Sequence, residues 1–205
     1  RGVSLSLGTF ARADLTSAEL AGLAMNKVVL SEAKLAGKDL SGVTWEHVQL
    51  IDGDLAGCNF VGATLSGSGF KDSNLAGANL RGATARRCLF VEANLHDADL
   101  TKGNFGQSIF VDAKAHKARF EGSKLDMSVW HRADLQHANF RDTDLTFADF
   151  SYANLSFADF RGATKVRVHL HEALLDGTEF SSKAGTLADD PELKRAENFL
   201  PKRPR

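Results

Sequence analysis

The stretch that decides the fold reads Ala133-Asp134-Leu135, Ala138-Asn139-Phe140, Thr143-Asp144-Leu145, Ala148-Asp149-Phe150, Ala153-Asn154-Leu155, Ala158-Asp159-Phe160. A small residue, then Asp or Asn, then Leu or Phe returns every five residues, six times in succession. An amphipathic helix brings its apolar residues back at 3.6 and a half-buried strand at 2, so a strict period of five belongs to neither. Self-similarity at a fixed step marks a repeat architecture, in which each unit buries its apolar face against the next.

Outward from this stretch, the register runs from Leu5 to Phe180. Of the 36 positions divisible by five, 19 are Leu, 11 Phe, two Trp (Trp45 and Trp130) and one Met (Met25). Only Ala85, Ala115 and Lys165 depart from large apolar residues. The residue two before each centre is usually small, as at Ala13, Ala78, Cys58, Cys88, Ser68 and Ser73. Alternation at spacing two points both residues inward and leaves three positions for water, a short strand plus a turn. A second period, of 20, lies on top of the first. Glu32, Asp52, Asp72, Glu92 and Asp112 keep to it, as do Gly42, Gly62 and Gly82, and Gly37, Gly57 and Gly77. Four distinct faces per turn would produce that pattern.

These units resemble the A(D/N)LXX consensus of the pentapeptide-repeat family, over about residues 3 to 180. The resemblance implies an all-β fold, a right-handed quadrilateral parallel β-helix with 20 residues per coil, and by itself no particular activity. The units then make about nine coils, a rod of roughly 43 Å at ~4.8 Å per coil. The division expected is a repeat domain over 1–182 and a C-terminal helix with a basic tail over 183–205. Asp190-Pro191-Glu192 reads as N-cap, first helical turn and favourable dipole charge. A short capping helix over about 191–200, with Leu193, Phe199 and Leu200 on its apolar side, would cover the open C-terminal edge. Pro201-Lys202-Arg203-Pro204-Arg205 is a basic, helix-breaking tail. Two irregularities stand out. Lys38 takes the place of a small inward residue, so its ammonium must bend outward or sit at a bulge. Lys165 at a centre, with Val166, Val168 and Leu170 after it, predicts a distorted last coil.

Composition narrows the function classes. Two Cys form no disulfide framework and suit a reducing compartment. A net charge of -1 argues against strong attraction to nucleic acid or anionic lipid. No apolar run approaches the length of about 18 residues that a membrane span needs. The chain opens at Arg1 without Met, as a piece of a larger protein would.

No nucleophile elbow, phosphate loop or CxxC pair is present, so neither catalysis nor a cofactor is expected. The Asp and Asn before each centre read as turn stabilisers. Cys58 and Cys88 point inward on opposite sides of the rod and cannot readily bridge. His96 and His116 should stack, with Asp97, Lys117 and His137 in the neighbouring column. Lys117 in their midst argues against a metal.

Two surface features are the candidate interaction sites. Glu32, Asp52, Asp72, Glu92 and Asp112 stack along one corner, where like charges repel and nothing in folding asks for them. Beside them run Val29, Ile51, Leu89, Val91, Ile109, Val111 and Val129, an apolar strip with an acidic rim. The other reading is that β-branched residues simply suit a strand surface. Phe147, Tyr152 and Phe157 project from three successive corners near Met127 and call for a cover. That cover is either the C-terminal helix, through Leu193, Phe199 and Leu200, or a second subunit. The resemblance implies that some family members dimerise through their C-terminal ends, and the dimer is slightly favoured.

The function expected is a non-catalytic scaffold that binds a protein partner. The resemblance adds bacterial settings, cytoplasmic or associated with secretion as an effector or a type VI secretion accessory. The alternative it implies is a DNA-mimicking protein that protects gyrase and confers fluoroquinolone resistance. Residues 1–180 carry 19 Lys plus Arg against 22 Asp plus Glu, a balance of only -3, which weakens the mimic.

Overall fold

Each five-residue unit turns a corner that begins at its large residue. The N–H groups of Ala78, Ala83 and Ala98 donate to the carbonyls of Leu75, Leu80 and Leu95, each at 3.0 Å. Two residues past the centre φ is positive, from 50° at Glu172 to 64° at Tyr152 among non-glycine residues. One positive φ at that place is the geometry of a type II turn. The Asp or Asn before the centre closes the corner from outside. Its side-chain oxygen accepts the N–H two residues on, as from Thr16 to Asp14 (3.1 Å), Arg81 to Asn79 (3.1 Å) and Arg161 to Asp159 (2.9 Å). The acidic and amide residues that recur so regularly are therefore turn formers, as expected.

The structure, a computed structural model, describes residues 4–187, 189–192, 194 and 195. Between corners the backbone is extended and pairs in parallel with the residue 20 positions on. Strands β1 (Ser4–Ser6), β3 (Ala24–Asn26) and β5 (Thr44–Glu46) form one three-stranded sheet. Strands β2 (Thr9–Ala11), β4 (Val29–Ser31) and β6 (Gln49–Ile51) form the next. Beyond β6 the pairing persists as single parallel bridges, such as Asp54↔Asn74, Asn74↔Asn94 and Leu89↔Ile109. The result is a parallel β-solenoid of about nine turns.

The centres fill its axis: Leu95, Phe110 and Leu135 are wholly buried. Phe70, Phe90, Phe110, Trp130 and Phe150 stack in order at 4.9, 4.7, 3.9 and 5.6 Å. Phe120, Phe140, Phe160 and Phe180 stack from the opposite wall at 4.8, 4.8 and 5.1 Å. The two columns meet edge to face across the axis, Trp130 against Phe140 at 88° and Phe150 against Phe160 at 90°. Both arrangements suit the quadrupole of an aromatic ring.

Three corners close through a serine hydroxyl. The N–H groups of Val48, Gly53 and Cys88 donate to the hydroxyls of Ser68, Ser73 and Ser108, at 3.0, 3.1 and 3.0 Å. Those hydroxyls in turn donate to the carbonyls of Trp45, Leu50 and Ala85. A buried hydroxyl from the next coil thus stands inside the turn, in place of its direct hydrogen bond.

The irregular lysines resolve in specific ways. Lys38 neither bends into solvent nor forces a bulge: its half-buried ammonium runs back along the wall to the Ala18 carbonyl, at 2.7 Å. Lys165 donates to the Ala163 carbonyl at 2.9 Å, and burial pulls its pKa down. The last coil is distorted, as expected. Strands β7 (Val168–His169) and β8 (Thr186–Leu187) pair Val168 with Thr186 and His169 with Leu187, a step of 18 in place of 20.

The expected capping helix does not appear as an element. Among the described residues helical backbone occurs only at Pro191, Glu192, Lys194 and Arg195. Asp190 caps it as read from the sequence, accepting the N–H of Glu192 at 2.9 Å. Leu193, Phe199 and Leu200, expected on its apolar side, lie outside the described residues.

Candidate functional site

The second wall of the rod carries the apolar strip. Its centres are the ring column Phe70 to Phe150, and its outward residues flank that column on both sides. Leu89, Ile109 and Val129 pair successively in the ladder on one side, while Val91 and Val111 lie on the other. Ile51 and Val29 continue the strip toward the N-terminal end, in β6 and β4. Leu89 is 40% exposed and the rest are half-buried. The stacked rings behind hold this wall flat, so its ridges are fixed in place.

The acidic ladder forms the corner of this wall. Glu32, Asp52, Asp72, Glu92 and Asp112 all occupy the left-handed corner position, with φ between 52° and 59°. Asp is among the L-residues that accept that region more readily, so folding does have a use for Asp52, Asp72 and Asp112, contrary to the expectation from sequence. Cations also temper the repulsion. Glu32 pairs with Arg12 at 3.0 Å, Asp72 with Lys71 at 2.6 Å, and Asp112 takes two bonds from Arg132 at 2.8 and 2.7 Å. The Lys71 ammonium hydrogen-bonded to Asp72 holds that carboxyl below its usual range. Among the described residues Asp52 and Glu92 carry no ion pair.

Elsewhere the charges are mixed. Arg86 reaches Asp126 across two coils at 3.3 Å, Arg119 meets Asp99 at 3.3 Å, and Arg161 meets Asp159 at 2.7 Å. Each joins coils or corners through surface carboxylates.

His96 and His116 do stack, at 5.2 Å and 8°. His137 meets His116 edge-on at 5.4 Å, and Phe157 lies flat on His137 at 5.0 Å. His96 pairs with Asp97 at 2.9 Å. No group of three His, Cys, Asp or Glu is placed to hold a metal ion among the described residues.

The three corner aromatics make separate contacts. Phe157 belongs to the His137 stack, and Tyr152 packs edge-on against the buried His171 at 5.4 Å. Phe157 and Phe147 both stay exposed, at 56% and 45%, Phe147 in the column of Met127, itself 49% exposed. Cys58 and Cys88 are buried, unbridged, and donate to the Leu35 and Leu65 carbonyls at 3.0 Å. Burial pushes their thiols up to about 11 and about 12.

No helix among the described residues is long and apolar enough to cross a membrane. No curated protein matches the chain. Among solved structures the chain is similar to a trypsin-treated form of QnrB1, a plasmid-mediated fluoroquinolone resistance protein. That match has a TM-score of 0.57 and 16% identity over 99% of this chain and 100% of that one, a likeness of fold alone. HetL, a pentapeptide repeat protein involved in heterocyst differentiation regulation from the cyanobacterium Nostoc sp. strain PCC 7120, is 25% identical. It covers 92% of this chain and 90% of its own, at a TM-score of 0.46. A pentapeptide repeat protein from the Arabidopsis thaliana thylakoid lumen is 30% identical over 54% of this chain and 66% of its own, at a TM-score of 0.33. The family described as pentapeptide repeats matches in eight copies, over residues 29–67, 46–82, 68–107, 88–126 and 131–164. With that register, its turns and its ring-filled axis, the chain belongs to the pentapeptide-repeat family.

Proposed function

We propose that this protein is a non-catalytic scaffold whose second wall receives a protein partner. The observation that carries the reading is the strip itself: Leu89, Ile109 and Val129 with Val91 and Val111, rimmed by an acidic corner and backed by a rigid ring column. Apolar ridges at fixed spacing offer shape, and the carboxylates at the rim offer orientation and encounter rate. Bound to such a wall, a partner loses little freedom on the scaffold's side, because nothing there has to be ordered.

The test is affinity capture from a bacterial lysate with the parent chain and with a variant in which Asp72, Glu92 and Asp112 are all Asn. The variant should fold, since Asn also accepts the corner conformation, and should bind the captured partner more weakly with a flatter salt dependence. Equal capture by both would move the partner to another wall.

The second reading, gyrase protection, draws on the fold likeness to QnrB1. Against it stand the arginines spread over the repeats, which place cations among the carboxylates that a DNA mimic would leave bare. A supercoiling assay with and without a quinolone tests it directly.

A further inference from the structure

Between its two columns of outward side chains the second wall carries a trough that runs along the rod. Leu89, Ile109 and Val129 form one bank, Val91 and Val111 the other. The banks are two residues of extended chain apart, about 7 Å. Phe90, Phe110 and Trp130 between them point inward and leave a floor of backbone. Both ends turn polar. At one, the Gln49 amide lies over Gly69, with Lys71 in the facing column. At the other, His131 reaches across the trough to Asp149 at 2.9 Å. Three coils of apolar trough remain, about 14 Å at ~4.8 Å per coil.

We propose that this trough seats one amphipathic α-helix of a protein partner, lying along the rod with cations on the flank that meets Glu92. The inference rests on the reading of that wall as a docking surface and names the element it receives. Backbone pairing is closed to the partner. The N–H groups of Leu89, Phe90, Ile109 and Phe110 already donate to carbonyls of adjacent coils, at 3.0, 2.7, 2.9 and 2.7 Å. An added strand has no edge to join, so side chains must do the docking. Pitch then selects the helix. Its turns recur at about 5.4 Å, within roughly 0.6 Å of the coil step, so they keep pace with the banks over three coils. An extended segment returns to the same face at about 6.8 Å and falls out of step after one or two coils. A helix of three turns, about 16 Å long, fills the trough. Charge sets its direction. Exposed Glu92 stands at the middle of one rim with no ion pair among the described residues, and Asp72 beside it has only Lys71. The other rim is Arg87, Gln107 and Met127, joined in series by hydrogen bonds of 2.9 and 3.7 Å. Turning a helix end for end exchanges its flanks, so a single basic flank fits the two unlike rims in one direction only.

Two phage-displayed libraries of peptides about 14 residues long, panned against the full chain, test this. One carries apolar residues at i, i+3, i+4 and i+7 with variable flanks, the other strict apolar and polar alternation. Binders should come from the helix-patterned library, with Lys or Arg enriched on a single flank, and should turn helical on binding by circular dichroism. Ile109→Gln with Val111→Lys introduces residue types that Gln49 and Lys71 already present in the same columns, so the variant should fold. It should weaken the selected peptides about tenfold or more. Glu92→Gln should weaken them as well and flatten their salt dependence. Binders drawn from the alternating library and lost on the trough variant would overturn the helix while leaving the wall a docking surface. Helix-patterned binders indifferent to Glu92→Gln would overturn it too. If neither library gave a binder sensitive to the trough variant, the helix and the reading of the wall would fall together.

Discussion

Phe110 and Trp130 lie ring on ring, 3.9 Å apart and within 1° of parallel, one coil above the other. Trp130 also meets Phe120 and Phe140 edge-on from the opposite wall, and its indole N–H donates to the buried Ser128 hydroxyl at 2.7 Å. One side chain thus joins both ring columns and a polar group in the core. Trp130→Ala should lose about 3–5 kcal/mol, as truncation of a large buried ring does. Chemical denaturation checks this, and a loss under about 1 kcal/mol would show that the columns re-close around the gap.

Ser68 and Ser123 occupy equivalent inward positions, yet their hydroxyls face different circumstances. Ser68 links the Val48 N–H to the Trp45 carbonyl, whereas the buried Ser123 hydroxyl has no hydrogen-bond partner among the described residues. Ser68→Ala strands a buried donor and acceptor and should lose about 1–3 kcal/mol. Ser123→Ala removes a desolvated hydroxyl and should be neutral or stabilising. Equal losses for the two would refute the inserted-hydroxyl account.

Asp159 supplies the acid-sensitive contribution. Arg161 donates to both its oxygens, at 3.0 and 2.7 Å, and this outweighs burial to hold the carboxyl below its usual range. A group whose pKa is lower in the folded chain stabilises the fold above its unfolded pKa of about 3.9, and that contribution is lost as pH falls through the folded value. Asp159→Asn keeps the turn acceptor but drops the charge. It should be less stable than the parent at neutral pH, by no more than about 1 kcal/mol for a pair at the rod's surface, and the difference should close in acid. Thermal midpoints of both chains across the acid range decide.

The thiols report on coil opening. With Cys58 and Cys88 buried and their pKa values raised to about 11 and about 12, neither should react with a thiol reagent at neutral pH while the coils stay closed. Both should react fully in denaturant. Rapid labelling of one in the native chain would locate a coil that opens by itself.

How much of the molecule is legible in the residues depends on how far apart the partners lie. The period of five identifies the core because each centre is judged alone, and Leu95 and Phe110 fall where that rule puts them. The period of 20 lines up the columns, so the His96–His116 stack is legible as well. The pairing of Asp112 with Arg132 is harder to see: it crosses coils, and a column of like charges hides the cation at its end. Ser68 reads as merely small until the Val48 turn is seen to lack its own bond. By spacing alone Phe157 groups with Phe147 and Tyr152 on successive corners, while the contact that holds it runs along the rod to His137. Of the candidate wall, the members are legible and the ion pairing is not. The left-handed corner that Asp52, Asp72 and Asp112 serve is hidden too, since Gly, Lys, His and Phe fill the same place elsewhere.

The bridges that join each residue to the one 20 positions later set two different tolerances to length change. Removing five residues leaves every later centre on the axis, since the inward rule counts only in fives. It nonetheless rotates the remainder of the rod by a quarter turn, so a deletion between Asp72 and Glu92 would take Glu92 off the corner above Asp72, and one between Phe110 and Trp130 would unstack those two rings. Removing 20 shortens the rod and preserves every column. The interior is thus indifferent to insertions and deletions in fives except where rings stack, while the outer walls survive only whole coils. A family built this way can lengthen by coil duplication without losing a binding face, and can replace a face by gaining or losing one pentapeptide.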